Sequence, residues 1–288
     1  MNRPLLVIDG DSFAHRAYHA LPKSIRRRGD KGGDKGGGAV VGFANFLLRF
    51  YAEERPRAVL VGWDTLDAPT YRHRALEGYQ GGRVFDAELV EQLDILPQLV
   101  GACGFANAKA PGYEADDFLA AAVAQEERRG GAALVASGDR DAFQLASAAT
   151  TILQPVRAGE IARIGPAQVR ERYGVEPPQV PDFIALRGDP SDKIPGVKGV
   201  GPKGAAALLR RYGSLEKALA DGRFAADAEK LRLYRQIATM DAAAPLPALD
   251  DQTPSWRDAA ALARDWGLNR LADRLAELGD AGTRRAGC

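Results

Sequence analysis

Pro4-Leu5-Leu6-Val7-Ile8-Asp9 is an apolar run that ends in an acid, and the same form returns at Ala58-Val59-Leu60-Val61-Gly62-Trp63-Asp64 and at Ala133-Leu134-Val135-Ala136-Ser137-Gly138-Asp139. Short apolar runs separated by helix-length segments read as buried parallel strands. Ligands of such sheets gather beyond the carboxyl ends of the strands, so Asp9, Asp64 and Asp139 are expected to meet at one edge. The fold class that follows is α/β, a mainly parallel central sheet flanked by helices, with a mainly helical lobe after it.

Six more acids join these three. They are Glu114, Asp116 and Asp117 in Glu114-Ala115-Asp116-Asp117, then Asp141, Asp189 and Asp192. Nine carboxylates at one edge repel unless cations sit among them, and hard divalent ions suit all-oxygen donors. Ordinary capping also accounts for acids at the start of a helix, such as the one read over residues 115–129. It accounts for none of the strand-end aspartates.

With 288 residues, 45% of them hydrophobic and 27% charged, the chain can bury a substantial core and is not a disordered polymer. No apolar run is long enough to span a bilayer, and Leu5 to Ile8 ends in an acid rather than a cleavage site, so a cytoplasmic protein without membrane contact is expected. Two cysteines and three histidines make neither a disulfide framework nor a zinc spacing. The net charge is +1, but of 38 acids nine belong to the set above, leaving 29 against 39 basic residues. That excess suits a polyanion. Charges interspersed over a solvated surface would give the same totals.

Ala39 to Glu54 reads as a helix with Val40, Phe43, Phe46, Leu47 and Phe50 on one side, and residues 86–103 as another. Residues 26–38, with Asp-Lys-Gly-Gly in tandem, read as a flexible basic loop, either a phosphate contact or a surface linker. Residues 71–85 mix arginines with aromatics, a combination that serves phosphates and stacked bases. Gly199-Val200-Gly201-Pro202-Lys203-Gly204 matches the dinucleotide fingerprint in letters only, because Gly188 to Gly196 before it cannot be a buried strand. Pro202 instead opens a helix, giving a helix, a glycine hairpin and a second helix. The amides of such a hairpin bind phosphate without reading bases, with Lys198 and Lys203 adding charge.

Five motifs then stand in one order. They are Val7-Ile8-Asp9-Gly10; Trp63-Asp64 with Tyr71-Arg72-His73; Gly112-Tyr113-Glu114-Ala115-Asp116-Asp117; Ser137-Gly138-Asp139-Arg140-Asp141 with Gln144-Leu145; and Gly188-Asp189-Pro190-Ser191-Asp192 with Ile194-Pro195-Gly196-Val197. Together, to about Leu278, they resemble the 5′-nuclease domain of bacterial DNA polymerase I and its free-standing 5′-3′ exonuclease relatives in the flap endonuclease superfamily, the free-standing form being the expected one.

The resemblance implies a PIN-like catalytic core over residues 1–165, with a helical arch at about 71–95, and a DNA-binding lobe over 166–288 with a helix-hairpin-helix at about 182–212. It implies hydrolysis of DNA at 5′ flaps, nicks or single-stranded 5′ ends by a monomer using two magnesium or manganese ions. Asp9, Asp64, Glu114 and Asp116 would hold one ion, and Asp117, Asp139, Asp141, Asp189 and Asp192 would surround the other. Arg72, Arg83 and Arg16 would clamp phosphate. Gly196, Val197, Lys198, Gly199, Val200, Gly201 and Lys203 would grip the duplex, where some relatives also bind potassium. The sequence departs from the family at Gln80, where most relatives have lysine after the tyrosine, at Lys193, where they often have asparagine, and in the Asp-Lys-Gly-Gly tandem. Two rival readings are a weakly active or non-catalytic binder of branched DNA, supported by Gln80, and a ribonuclease of the shorter PIN type, which lacks the hairpin lobe.

Overall fold

Strand β1 (Leu5–Asp9) lies inside a six-stranded sheet of order β5-β4-β1-β6-β7-β8, with β4 at Ala58–Gly62, β5 at Ala106–Ala108, β6 at Ala133–Ala136, β7 at Thr150–Pro155 and β8 at Ile161–Ile164. Only β8 runs antiparallel to its neighbour. This computed structural model describes residues 3–29, 32–82 and 85–286. Every residue of β1, β4 and β6 is buried, as the uninterrupted apolar runs require when helices cover both faces. Asp9 pairs with Gly62, and Ile8 pairs with Ala136. Asp64 and Asp139 therefore follow just past the ends of strands that finish level with Asp9.

The helices are α1 (Gly10–Ala20), α2 (Gly38–Glu54), α3 (Tyr71–Ala75), α4 (Ala87–Ala102), α5 (Ala115–Arg128), α6 (Pro166–Tyr173), α7 (Val180–Arg187), α8 (Pro202–Tyr212), α9 (Leu215–Ala220), α10 (Ala228–Ala238), α11 (Trp256–Asp265) and α12 (Asn269–Ala286). One sheet face, through Leu5, Val7, Leu60 and Val135, shares a core with α5 and with α7, α8 and α10 of the lobe. The other face, through Leu6, Ile8, Val59 and Val61, packs on α1, α2, α4, α11 and α12.

Three expectations change. Residues 26–38 are not a loose loop, because β2 (Arg26–Arg28) pairs with β3 (Asp34–Gly36) as a short hairpin. Its charges meet acids of α4, Arg26 with Glu88 and Lys35 with Glu91, each at 2.9 Å, and the buried Arg27 donates through Nε to the Gly36 carbonyl at 3.1 Å. The first two residues of the tandem, 30 and 31, lie outside the described residues. The span 71–95 is not one arch, since α4 buries Leu89 and Leu93 in the core. Nor do residues 166–288 form one lobe. Trp256, Trp266, Leu271 and Leu275 carry α11 and α12 back onto the first core, where Trp256 meets Tyr51 and Phe105 edge-on, with ring centroids 5.1 and 5.6 Å away.

Candidate metal centre

Past the carboxyl ends of β1, β4 and β6 lies a cavity of about 450 Å³ whose acidic wall is Asp9, Asp11, Asp64, Glu114, Asp116, Asp139 and Asp192. Close approach of α5 to β4 builds it. A Cβ on Gly62 would stand 2.8 Å from the Ala115 carbonyl, so only glycine lets the first turn of α5 reach the strand end. That contact sets Asp64 Oδ1 where it accepts the Ala115 amide at 2.8 Å. Asp9, the cap of α1, accepts the Ser12 amide at 2.9 Å through Oδ1 and the Ser137 hydroxyl at 2.8 Å through Oδ2. Asp139 Oδ1 accepts the Asp141 amide at 2.8 Å, and Asp189 Oδ1 the Ser191 amide at 2.8 Å.

These contacts orient the acids without neutralising them. Burial first, then the charges of Asp64 and Asp139, push Asp9 up to about 7 against the pull of the Ser12 amide. Glu114 is pushed up to about 7, by burial and then by Asp64, although Arg72 and the Thr70 hydroxyl oppose the rise. Asp116 rises well above the carboxylate range through burial and the charges of Asp9, Asp139 and Asp64. Asp141 does so through burial and the charges of Asp139, Asp192 and Asp189. Asp139 thus belongs to both sets of repelling neighbours. Asp116 Oδ1 is buried with no hydrogen-bond partner. Among the described residues no three of the side chains stand, as they are, in the arrangement of a formed ion site. The donors still fit hard divalent ions, being all-oxygen, anionic, mutually repelling and, at Asp116, unsatisfied.

Two expected site residues stand elsewhere. Arg72 and Asp117 are 3% and 0% exposed and face each other in a two-pronged ion pair with both contacts at 2.8 Å. Asp117 also accepts the amides of Glu114 at 3.1 Å and Asp241 at 2.8 Å, while Arg72 Nε donates to the Ile237 carbonyl at 2.8 Å. Neither lines the cavity; Asp117 caps α5 and pairs with Arg72, and Arg72 also reaches the cavity-wall acid Glu114, at 3.4 Å from its Oε2. Arg16 is exposed on α1 and donates to the Pro155 carbonyl at 3.2 Å. Arg83 lies outside the described residues.

Gln80 lies at the cavity mouth with φ +51°. Its side-chain amide donates to the Tyr79 hydroxyl at 3.0 Å and to Asp192 Oδ1 at 3.2 Å, and the Tyr79 hydroxyl donates to Glu114 Oε2 at 3.1 Å. A neutral bridge therefore joins Glu114 to Asp192. The sequence reading missed Asp11, which accepts the Asp64 amide at 2.8 Å, together with Ser12 and His15 in the cavity wall and Ser137 on Asp9. Asp11, two residues past a strand-end acid, was the available signal.

Helix α7, the turn 188–201 and α8 make the expected helix-hairpin-helix. Asp189 and Ile194 exchange amide-to-carbonyl bonds, both 2.8 Å, and the Val197 amide donates to the Leu186 carbonyl at 2.9 Å. Gly196 (φ +70°) must be glycine, since its Cβ would stand 2.3 Å from the Gly188 nitrogen. Val197 and Val200 pack against the core. Among the described residues the amides of Lys198, Gly199 and Gly201 donate to no protein group, and Lys198, Gly199, Gly201 and Lys203 are exposed.

Comparison with known proteins agrees with this architecture. Residues 4–174 match the profile of the 5′-3′ exonuclease N-terminal resolvase-like domain, and residues 175–259 that of the 5′-3′ exonuclease C-terminal SAM fold. DNA polymerase I of Deinococcus radiodurans is 42% identical over 74% of this chain and 21% of its own length, and the thermostable DNA polymerase I of Thermus thermophilus is 41% identical over 75% and 25%. The chain thus spans about a quarter or less of these curated relatives. The T5 D15 protein co-crystallised with metal ions has the same fold at 17% identity, with a TM-score of 0.67 over 96% of this chain and 99% of its own. The T5 5′-exonuclease bound to zinc scores 0.68 at 18% identity, again over 96% and 99%. With its two profiles meeting where the sheet core gives way to the hairpin lobe, the chain belongs to the 5′-3′ exonuclease family.

Proposed function

We propose that the protein is a divalent-metal-dependent 5′-3′ exonuclease and structure-specific 5′-flap endonuclease that hydrolyses DNA phosphodiester bonds as a monomer. The observation that carries this reading is the acidic cavity, in which Asp116 Oδ1 is buried and unpaired among like charges. Asp9, Asp64, Glu114, Asp116 and Asp139 would hold one magnesium or manganese ion, and Asp139, Asp141, Asp189 and Asp192 the other. Two such ions supply Lewis-acid activation of water and neutralise charge at the phosphate under attack. The chain's own residues do the rest. Ser12 and Ser137 aim Asp9, the Ala115 amide aims Asp64, and the Gln80 amide ties Asp192 to Tyr79 at the mouth. Lys198, Lys203 and the undonated hairpin amides hold duplex phosphates, and a potassium ion would sit against the same turn. Arg83 is assigned a phosphate contact from the family resemblance, and Arg16 would make one only by leaving Pro155.

The test uses labelled 5′-flap, nicked and single-stranded DNA with magnesium, manganese or chelator. Flap and nick cleavage with either metal and none with chelator is expected. Tight binding without cleavage in every metal would favour the rival reading as a branched-DNA binder, in which Gln80 has replaced a needed cation. Replacing both Lys198 and Lys203 by alanine is expected to weaken binding to all sequences alike and to flatten the salt dependence by roughly 1 to 2 units.

A further inference from the structure

A second cavity, of about 520 Å³, opens between α6, α7 and α8 and is lined by Arg140, Arg172, Arg187, Lys203 and Arg210 with no acid among its lining residues. Its floor is aromatic. Tyr173 stacks on Phe183 with ring centroids 4.9 Å apart, and the Arg187 guanidinium lies over both rings, 5.8 and 5.3 Å from their centres. Elsewhere on this lobe Arg170 is neutralised by Glu176 at 3.0 Å and Arg232 by Glu216 at 3.0 Å, while Arg211 and Arg223 lie singly over the rings of Tyr212 and Phe224. Among the described residues Arg140, Arg172, Lys203 and Arg210 have no carboxylate partner, and Arg172 donates instead to the Gln154 amide oxygen at 2.7 Å. Arg187 is paired with Asp189 at 3.0 Å, yet its Nε is buried without a hydrogen-bond partner.

Helix dipoles explain only part of this cluster. Arg172 and Arg210 occupy last turns, where a cation is favoured, but Lys203 stands in the first turn of α8, where the dipole repels it, and Arg140 precedes a short 3₁₀ turn. An anion in the cleft compensates both. Its position supplies the reason for one, since Arg140 separates the metal-centre residues Asp139 and Asp141 while Lys203 belongs to the hairpin.

We propose that this cleft is a phosphate site, lined by Arg140, Arg172, Arg187, Lys203 and Arg210, that holds a DNA strand between the glycine hairpin and the metal centre. The proposal rests on the nuclease reading and adds to it a contact surface on α6 and the end of α8 that the hairpin does not include. Arginine forks suit phosphate oxygens, whether internal diesters or a terminal 5′-phosphate.

The experiment compares wild type with the double variant Arg172→Gln/Arg210→Gln, two exposed side chains that pair with none of the metal-centre acids. Binding to nicked and 5′-flap duplexes in calcium is followed by fluorescence anisotropy over a salt series, with the nicked probe made with and without a 5′-phosphate. We expect affinity to fall about tenfold and the salt slope to flatten by about 1 to 2 units, each lost phosphate contact removing about 0.9, with the melting temperature unchanged. An equal loss on both nicked probes assigns internal diesters, and a loss confined to the phosphorylated probe assigns the terminal phosphate; each supports the site. Unchanged affinity and slope, in a protein whose wild type binds and cuts these DNAs, overturn the cleft alone. A wild type that neither binds nor cuts them overturns the nuclease reading, and the cleft with it.

Discussion

Successive residues of a helix point about 100° apart, so Asp116 turns toward the cavity while Asp117 turns inward to Arg72. The two acids therefore do opposite work. Asp117→Asn strips the buried Arg72 of its two-pronged partner and leaves it only Glu114 at 3.4 Å, and breaking such a pair costs about 3–5 kcal/mol; urea denaturation should show that loss. Asp116→Asn removes a buried charge that the surrounding carboxylates repel more than Arg72 attracts, so it is expected to leave stability in chelator equal or higher and to abolish flap cleavage in magnesium. Magnesium at a hundred times its dissociation constant should stabilise the wild type by about 2.7 kcal/mol, and Asp116→Asn should lose most of that gain. An equal stability loss in both variants would refute the division. Of the nine acids expected at the edge, Asp9, Asp64, Glu114, Asp116, Asp139 and Asp192 line the cavity, because strand-end position and helix start are properties of the local sequence. The opposite turns of Asp116 and Asp117 were not legible, because a shared motif does not show which way a side chain turns, and burial between α5 and α10 decides that.

Within the helix-hairpin-helix the backbone explains one departure from the family. Lys193 has φ +60°, a left-handed conformation that costs most side chains roughly 1–2 kcal/mol and that asparagine tolerates. Lys193→Asn is thus expected to raise stability by about 0.5–1 kcal/mol, read as a shift in thermal midpoint, and no gain would mean that the turn carries no strain. The two helices and the glycine turn were legible because Pro202 and the glycines are strong local signals. The hairpin β2-β3 was not, since it is held by Glu88 and Glu91 of α4 and a glycine-rich tandem alone does not show that acids await it. The span around Tyr79 was similarly opaque, as its short helix and its bridge to Asp192 depend on partners more than a hundred residues away.

For the molecule as a whole, the two faces of one sheet carry two cores, and the second needs α11 and α12. Ending the chain before Trp256 would uncover Leu93, Leu96, Val100 and Phe105 and remove the side chains of Trp256, Trp266, Leu271 and Leu275 from the core. At about 1.5–3 kcal/mol for each large apolar side chain, that loss is comparable with a total stability of about 5–15 kcal/mol. Such a truncation is expected to be aggregated or to bind a hydrophobic dye, and a soluble, two-state truncation would contradict the shared core. The parallel sheet was legible from its apolar runs, whereas this return was not, because an amphipathic helix does not name the surface it will cover. It also sets a timetable for synthesis. Phe105 leaves the ribosome some 150 residues before Trp256, and at about 5–20 residues per second the greasy flank of α4 waits on the order of ten seconds for its cover, a window in which a nascent chain of this protein is most open to chaperones.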